Sequence, residues 1–341
     1  MLDILNPFSG PLATSEITEL RIYPIKSCRG ISIQKSLLTK QGLDLDRRWM
    51  FVDAEDMKFI TIRDISQMTL IDTSLDTTSS NLTISIRSTP HSITIPTRPS
   101  PSWLDANTTL SRVNIWDYET DGHIYSEAIN SIFTNFFSKP VKLVYKGPTP
   151  RILRGNGALE HLGREESTNF PDVMPLQIAN EASLRDLNER LREKGHAEIT
   201  LERFRPNIIV SGAESADSVT KGGLPAPWSE DNWKTVRILP SGEQKLGIAA
   251  ILGGGGEKPL EIDVQARCAR CQVPNVDPDT AEKDKNEPWD TLVSYRRVDE
   301  GIKWKPCFGM LCCPRTEGEI EVGMKFEVME MTEGHKYVKG F

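Results

Sequence analysis

Apolar residues alternate with polar ones along much of this chain, and a repeat of two positions forces extended strands rather than helices. Up to about residue 145, the strand segments are carried by Leu20 and Ile22, by Trp49-Met-Phe-Val52, by Leu82-Thr-Ile-Ser-Ile86 and by Ser92-Ile-Thr-Ile95. One stretch breaks the pattern: around 125–137, Ile129, Ile132, Phe133 and Phe136 recur at helical spacing, which predicts a helix packed through that stripe. A polar run from Gly147 to Asn169, holding Pro148, Pro150, Gly155 and Gly157, then reads as a linker.

The second half opens with a helix. Asn180 is placed to cap it, Leu184, Leu187 and Leu191 form its apolar stripe, and Gly195 suits its end. Strands follow at Asn207-Ile-Ile-Val210, Thr235-Val-Arg-Ile-Leu239, Glu319-Ile-Glu-Val322 and Phe326-Glu-Val-Met329. The stretch 211–233 and the tetraglycine Gly253–Gly256 read as loops; the tetraglycine lacks the spaced glycines and downstream acid of a dinucleotide fingerprint. The expected class is α+β, mostly β.

With 341 residues, two domains are expected. The net charge of −7 repels nucleic acid and anionic membrane surfaces, so an anionic ligand must be held by a local group of cations. Six irregularly spaced cysteines point to a reducing compartment. Asp3, Glu16 and Glu19 precede the first basic residue, Arg21, and no apolar run approaches the ~18 residues that span a bilayer. A cytoplasmic protein with no transmembrane anchor is expected, with mitochondrial association left open.

Chemistry concentrates at Cys268-Ala-Arg-Cys271. Arg267 and Arg270 flank a thiol that precedes the acidic turn Asp277-Pro278-Asp279, and cations favour the thiolate, the reactive and metal-ligating form. The same run also suits half of a zinc site, a redox dithiol, or two buried inert thiols. Zinc lacks two further ligands at suitable spacing, since Cys312 and Cys313 are adjacent, and Pro274 and Pro278 stand where a redox helix would begin. Further cations punctuate strand ends: Lys26, with Ser27, in Tyr23-Pro-Ile-Lys-Ser-Cys28; Arg47 and Arg48 before Trp49; Arg63; and Arg203 and Arg205 before Asn207. Together they suit a phosphate or carboxylate.

These stretches resemble the MOSC-domain proteins that carry a MOSC N-terminal β-barrel domain, and are most similar to the mitochondrial amidoxime-reducing components. The resemblance rests on Tyr-Pro-Ile-Lys-Ser-Cys at 23–28, Asp-Arg-Arg-Trp at 46–49, Asn-Glu-Ala-Ser-Leu-Arg-Asp-Leu-Asn at 180–188 and Arg-Phe-Arg-Pro-Asn at 203–207. Cys-Ala-Arg-Cys with Val-Asp-Pro-Asp-Thr at 268–280 and Leu-Val-Ser-Tyr-Arg at 292–296 complete it, with Phe308-Gly309 and Val322-Gly323 towards the end. It implies a β-barrel-like N-terminal domain at 17–146, a linker at 147–169 and a β-barrel MOSC domain at 170–335.

The resemblance implies a molybdenum cofactor (molybdenum on molybdopterin). Cys271 takes the role of metal ligand and Cys268 does not. Lys26, Ser27, Arg47 and Arg205 take the pterin and its phosphate, Arg63 and Arg270 are expected beside them, and Asp172, Val173 and Met174 match a cofactor-lining stretch through backbone contacts. The implied reaction is reduction of N-hydroxylated compounds, such as amidoximes and hydroxylamines, to amines or amidines. Asp277 and Asp279 are the carboxylates considered for proton relay, against a plain turn role around Pro278.

No flavin, haem or nicotinamide motif is visible, so electrons are expected from a partner such as cytochrome b5 with its NADH-dependent reductase. A MOSC protein that binds the cofactor or carries sulfur, without reductase activity, is the alternative; with no pyridoxal-phosphate domain in view, such a carrier would depend on a separate enzyme. An interaction module without metal leaves the basic cluster unexplained. Cys307, Cys312 and Cys313 are expected to be packed thiols.

Overall fold

The computed structural model describes residues 10–76, 78–214, 222–240 and 258–340. Strands dominate, joined by five α-helices among the described residues. Gly253–Gly256, read above as a loop, lies outside them, as does part of 211–233.

Seven strands close into a barrel: β1 (Ala13–Ile22), β2 (Leu176–Asn180), β3 (Ile208–Val210), β4 (Trp233–Ile238), β5 (Leu260–Ala269), β6 (Cys307–Pro314) and β7 (Lys325–Met331). Around the barrel the order is β1-β3-β2-β6-β5-β4-β7, and β7 returns to β1. Closure leaves none of the seven with a free edge within the ring. In β1, Ala13 and Ile17 face inward, and the register then slips between Ile17 and Glu19. That one-residue bulge shifts the phase of the alternation, so Leu20 and Ile22 also face the core. Strand β1 therefore joins the C-terminal half of the chain in one barrel.

Strands β2 and β3 run parallel, the remaining neighbours antiparallel. A parallel pair needs a crossover, and the helix Glu181–Glu193 supplies it: the Asn180 side chain accepts from Ala182 N as cap, and Gly195 leaves the helix at φ +80°. Its Leu187 and Leu191 pack on Ile209 and Phe308 outside the barrel. Strand β6 is buried on both faces, with Met310 and Cys312 inside the barrel and Leu311 and Cys313 packed outside it. Cys307, Cys312 and Cys313 are buried free thiols.

The rest of the N-terminal half holds a four-stranded sheet (Trp49–Asp53, Val141–Lys146, Tyr118–Tyr125, Thr108–Ile115) and a three-stranded meander (Ile71–Asp76, Asn81–Ile86, Ser92–Pro96). The helix Glu127–Phe137 covers them through Phe133 and Phe137, whose rings meet Phe51 edge-on at 4.9 and 5.5 Å. The segment read as a linker is folded: Arg151–Ile152 pairs with Ser167–Thr168, and Leu153 and Leu162 are buried against Leu311. Among the described residues no helix is long and apolar enough to cross a membrane.

Candidate functional site

A cavity of about 470 Å³ opens on the barrel wall, lined by Gln177 of β2 and Leu311 of β6 and closed from the other side by loops of the N-terminal half. Its size suits a cofactor or small ligand. Ten of the residues expected to hold the cofactor or its metal line it: Lys26, Ser27, Arg47 and Arg63 from the N-terminal half; Asp172, Val173, Met174 and Arg205 from the approaches to β2 and β3; and Arg270 and Cys271 beyond β5.

Asp277 and Asp279 are not among the lining residues. The Asp277 carboxylate pairs with Arg203 at 2.7 Å and accepts from the backbone N–H groups of Asp279 and Thr280, the geometry of an Asx turn. Asp279 pairs with Arg29 and Arg87. The geometry thus assigns both carboxylates to holding the turn.

The two cysteines of the Cys-x-x-Cys run are distinguished by their guanidiniums. Arg63 Nε donates to Cys271 Sγ at 3.4 Å, whereas Arg270 Nη1 donates to Cys268 Sγ at 2.9 Å. Arg267 turns away to donate to the carbonyl of His335 and to sit near Asp299. The cation at Cys271 is therefore Arg63, not the neighbouring arginines. Burial pushes the Cys268 thiol up, with Arg270 opposing it, which keeps a proton on Cys268.

Asp172 is the charged hub of the same wall, although its side chain was not expected to take part. It pairs with Lys26, pairs with Arg63 at 3.2 Å, and accepts from Trp116 Nε1 at 3.2 Å. Burial opposes its charge, but Lys26 and Arg63 outweigh it and hold the carboxyl well below the usual carboxylate range. Burial pulls Lys26 down to about 8 against the attraction of Asp172. The Arg63 guanidinium also lies over the Trp116 ring at 5.0 Å.

A second cluster surrounds Tyr23, which no motif argument singled out as an organiser. Arg47 and Arg205 lie 4.4 and 4.2 Å from the centre of its ring. Asp46 accepts both from Tyr23 N at 2.8 Å and from Arg47 Nη1 at 2.6 Å, while Arg47 Nη2 donates to the carbonyl of Arg205 at 3.1 Å. A Cβ on Gly30 would sit 2.4 Å from the ring, so glycine is required there. Ser27, Arg47 and Arg205 all adopt left-handed backbone, at φ +69°, +46° and +60°. Such geometry costs of order 1–2 kcal/mol at a residue other than glycine and persists where surroundings enforce it. Burial lowers Arg205 to about 10, with Tyr23 opposing. Arg205 Nη2 and Arg270 Nε are buried donors with no hydrogen-bond partner among the described residues, an unfavourable state that a bound anion would relieve.

Among the described residues no group of three or more His, Cys, Asp or Glu could hold a metal. A zinc site built on Cys268 and Cys271 is thus without its remaining ligands. A metal at Cys271 needs a ligand set that comes with it, and the unpaired N–H groups of Arg205 and Arg270 suit an acidic cofactor.

Residues 14–140 match the model of the MOSC N-terminal beta barrel domain, and residues 165–327 that of the MOSC domain. Mitochondrial amidoxime-reducing component 1 of Homo sapiens is 28% identical over 316 residues, covering 90% of this chain and 81% of that protein. Mitochondrial amidoxime reducing component 2 of Macaca fascicularis is 29% identical over 320 residues, with the same coverage of 90% and 81%. Molybdenum cofactor sulfurase of Arabidopsis thaliana is 31% identical over 306 residues, which cover 86% of this chain and 32% of that protein.

Proposed function

The chain belongs to the MOSC family, in the form that joins a MOSC N-terminal beta barrel domain to a MOSC domain, and from that premise we propose that it is a molybdenum cofactor-dependent oxidoreductase that reduces N-hydroxylated compounds. The observation that carries this reading is one cavity holding both a thiol beside a guanidinium and two arginines that each keep a buried N–H without a hydrogen-bond partner among the described residues. The likeness to amidoxime-reducing components over 90% of the chain supports it.

The donor set fits the cofactor. Cys271 would hold the metal, and soft thiolates suit a transition metal whose other ligands arrive with the pterin. Arg205 and Arg270 would each direct a free N–H at it, and Arg47 and Ser27 would complete the phosphate end. When bound, the cofactor supplies two-electron redox chemistry, which no side chain offers.

The chain's own part is orientation and protons. Arg63 directs the Cys271 sulfur and, through Asp172, ties it to Lys26. Conversion of R–NH–OH to R–NH2 and water takes up two electrons and two protons. Lys26 Nζ and the Tyr337 hydroxyl are among the protonated groups of the lining able to carry protons, since Asp277 and Asp279 hold the turn. Electrons come from a partner protein, with cytochrome b5 and its reductase as the proposed source.

The test uses protein made in a host that synthesises the cofactor, assayed with an aromatic amidoxime. Molybdenum and pterin near one per chain are expected, with amidine formed from cytochrome b5, its reductase and NADH, or from a reduced viologen dye. Activity with the dye alone would replace the proposed donor. Loaded protein inactive with both would overturn the reductase reading in favour of sulfur transfer, which the 31% identity to the sulfurase supports and which a persulfide on Cys271 would mark.

A further inference from the structure

One wall of the cavity comes from segments that contribute none of the expected cofactor residues: the loop 301–305 and the C-terminal segment 335–340, through Trp304, Lys305, Tyr337 and Lys339. We propose that this wall is a substrate subsite for planar aromatic compounds that carry an acidic group. The proposal rests on the reductase reading above and adds the substrate class to it.

The wall is built, not incidental. A single buried carboxylate oxygen, Asp299 Oδ1, accepts from Gly301 N and from Tyr337 N, each at 2.8 Å, and so ties loop to tail. Asn156 holds the tail from the other side: its Nδ2 donates to the Lys336 carbonyl and its Oδ1 accepts from Val338 N, both at 2.8 Å. The backbones approach so closely that a Cβ on Gly301 would lie 2.1 Å from the Tyr337 carbonyl oxygen. A wall fixed at this many backbone groups presents its side chains from a backbone that is already ordered when a ligand arrives.

Those side chains specify the ligand. Trp304 is 68% exposed, the highest value among the exposed large hydrophobic residues described. An indole is ordinarily mostly buried, and one left bare at a cavity rim offers its face to another flat ring. Beside it, Lys305 and Lys339 have no carboxylate within ion-pair distance among the described residues. Among the described residues, Asp172 is the one acidic residue of the lining, and Lys26 and Arg63 already engage it. In a chain of net charge −7, this leaves the rim with uncompensated positive charge. It favours a ring bearing a carboxylate or sulfonate and disfavours a cationic one.

The test compares benzamidoxime with its para-carboxylated form, using molybdenum-loaded protein and reduced viologen, so that docking of a donor protein does not enter. Calorimetric affinity for the para-carboxylated amidine product is measured alongside and needs no turnover. Wild type is expected to prefer the carboxylated compounds by roughly fivefold, the scale of an exposed ion pair. The double variant Lys305→Ala/Lys339→Ala is expected to lose that preference, and Trp304→Ala to raise KM. Lys303→Ala, an exposed neighbour outside the lining, should keep the preference. Turnover without any preference would overturn the subsite and leave the reduction standing; preferential binding without turnover would keep the subsite and overturn the reduction.

Discussion

Arg63 donates through Nε to the sulfur of Cys271 at 3.4 Å, across 208 positions of sequence. The N-terminal half thereby supplies the cation for a thiol carried by the barrel. In cofactor-free protein, Arg63→Gln removes this charged donor to the sulfur and is therefore expected to slow alkylation of Cys271 by iodoacetamide. Cys268, whose thiol is pushed up by burial, should react slowly in both forms. Peptide mass spectrometry over a time course separates the two sites, and equal rates at Cys271 in both proteins would remove the role given to Arg63.

The same asymmetry predicts metal retention. Cys271→Ser is expected to lose most molybdenum, because a serine hydroxyl is a poor substitute for a soft thiolate. Cys268→Ser should retain most of it, since Cys268 is already engaged by Arg270 at 2.9 Å. Metal analysis after gel filtration is the readout. Equal loss in both variants, with zinc in the wild type, would return the pair to a structural metal site.

The cations around Tyr23 divide in a similar way. Arg47 and Arg205 stack on its ring and line the cavity, whereas Arg48 donates to Asn169 and Tyr145, and Arg21 pairs with Glu19 and Glu202. A hydrogen bond to a charged group is worth about 1.5–3 kcal/mol, so Arg47→Ala or Arg205→Ala is expected to weaken pterin retention about tenfold to a hundredfold. Arg48→Ala and Arg21→Ala should change it less than about threefold. Tyr23→Leu, which keeps bulk but removes the ring, is expected to behave like the first pair. Fluorescence of the released pterin measures all five, and equal retention would show the phosphate end to be misplaced.

Much of this site was legible because its residues sit at strand ends, where alternation stops and a cation follows. Lys26, Arg47 and Arg205 stood out on that ground; Cys271 stood out through its Cys-x-x-Cys run between arginines, and the helix through its Asn180 cap and leucine stripe. Pairing was not legible. A period of two marks Ala13–Ile22 as a strand without saying that it closes the C-terminal barrel, and its bulge at Ile17 leaves only a change of phase. The guanidinium that reaches Cys271 depends on how the halves close, so proximity in sequence pointed to Arg267 and Arg270 instead. Asp172 carried no signal as a charge hub, because its partners Lys26 and Arg63 lie more than a hundred positions away. The tail through Tyr337 has no periodicity at all; hydrogen bonds from Asp299 and Asn156 place it.

Lys26 links the site to pH. Burial lowers its ammonium to about 8, below the ordinary 10.5, although Asp172 pulls the other way. As pH rises through about 8 the group loses its proton, and Asp172 keeps Arg63 as its remaining charged partner. Cofactor uptake by the free protein is expected to fall as pH rises through about 8, and turnover along an alkaline limb above it, since a bound anion holds the proton on Lys26. Unfolding does not account for that limb. A lysine whose folded value is depressed binds its proton less tightly in the native state, so between about 8 and 10.5 its contribution to stability rises with pH. Melting temperature should therefore not fall on this group's account over the window in which activity does. Lys26→Arg, which stays charged throughout, is expected to carry the limb to higher pH. Parallel pH titrations of turnover and melting temperature check the argument, and a limb unchanged in Lys26→Arg would assign it to another group.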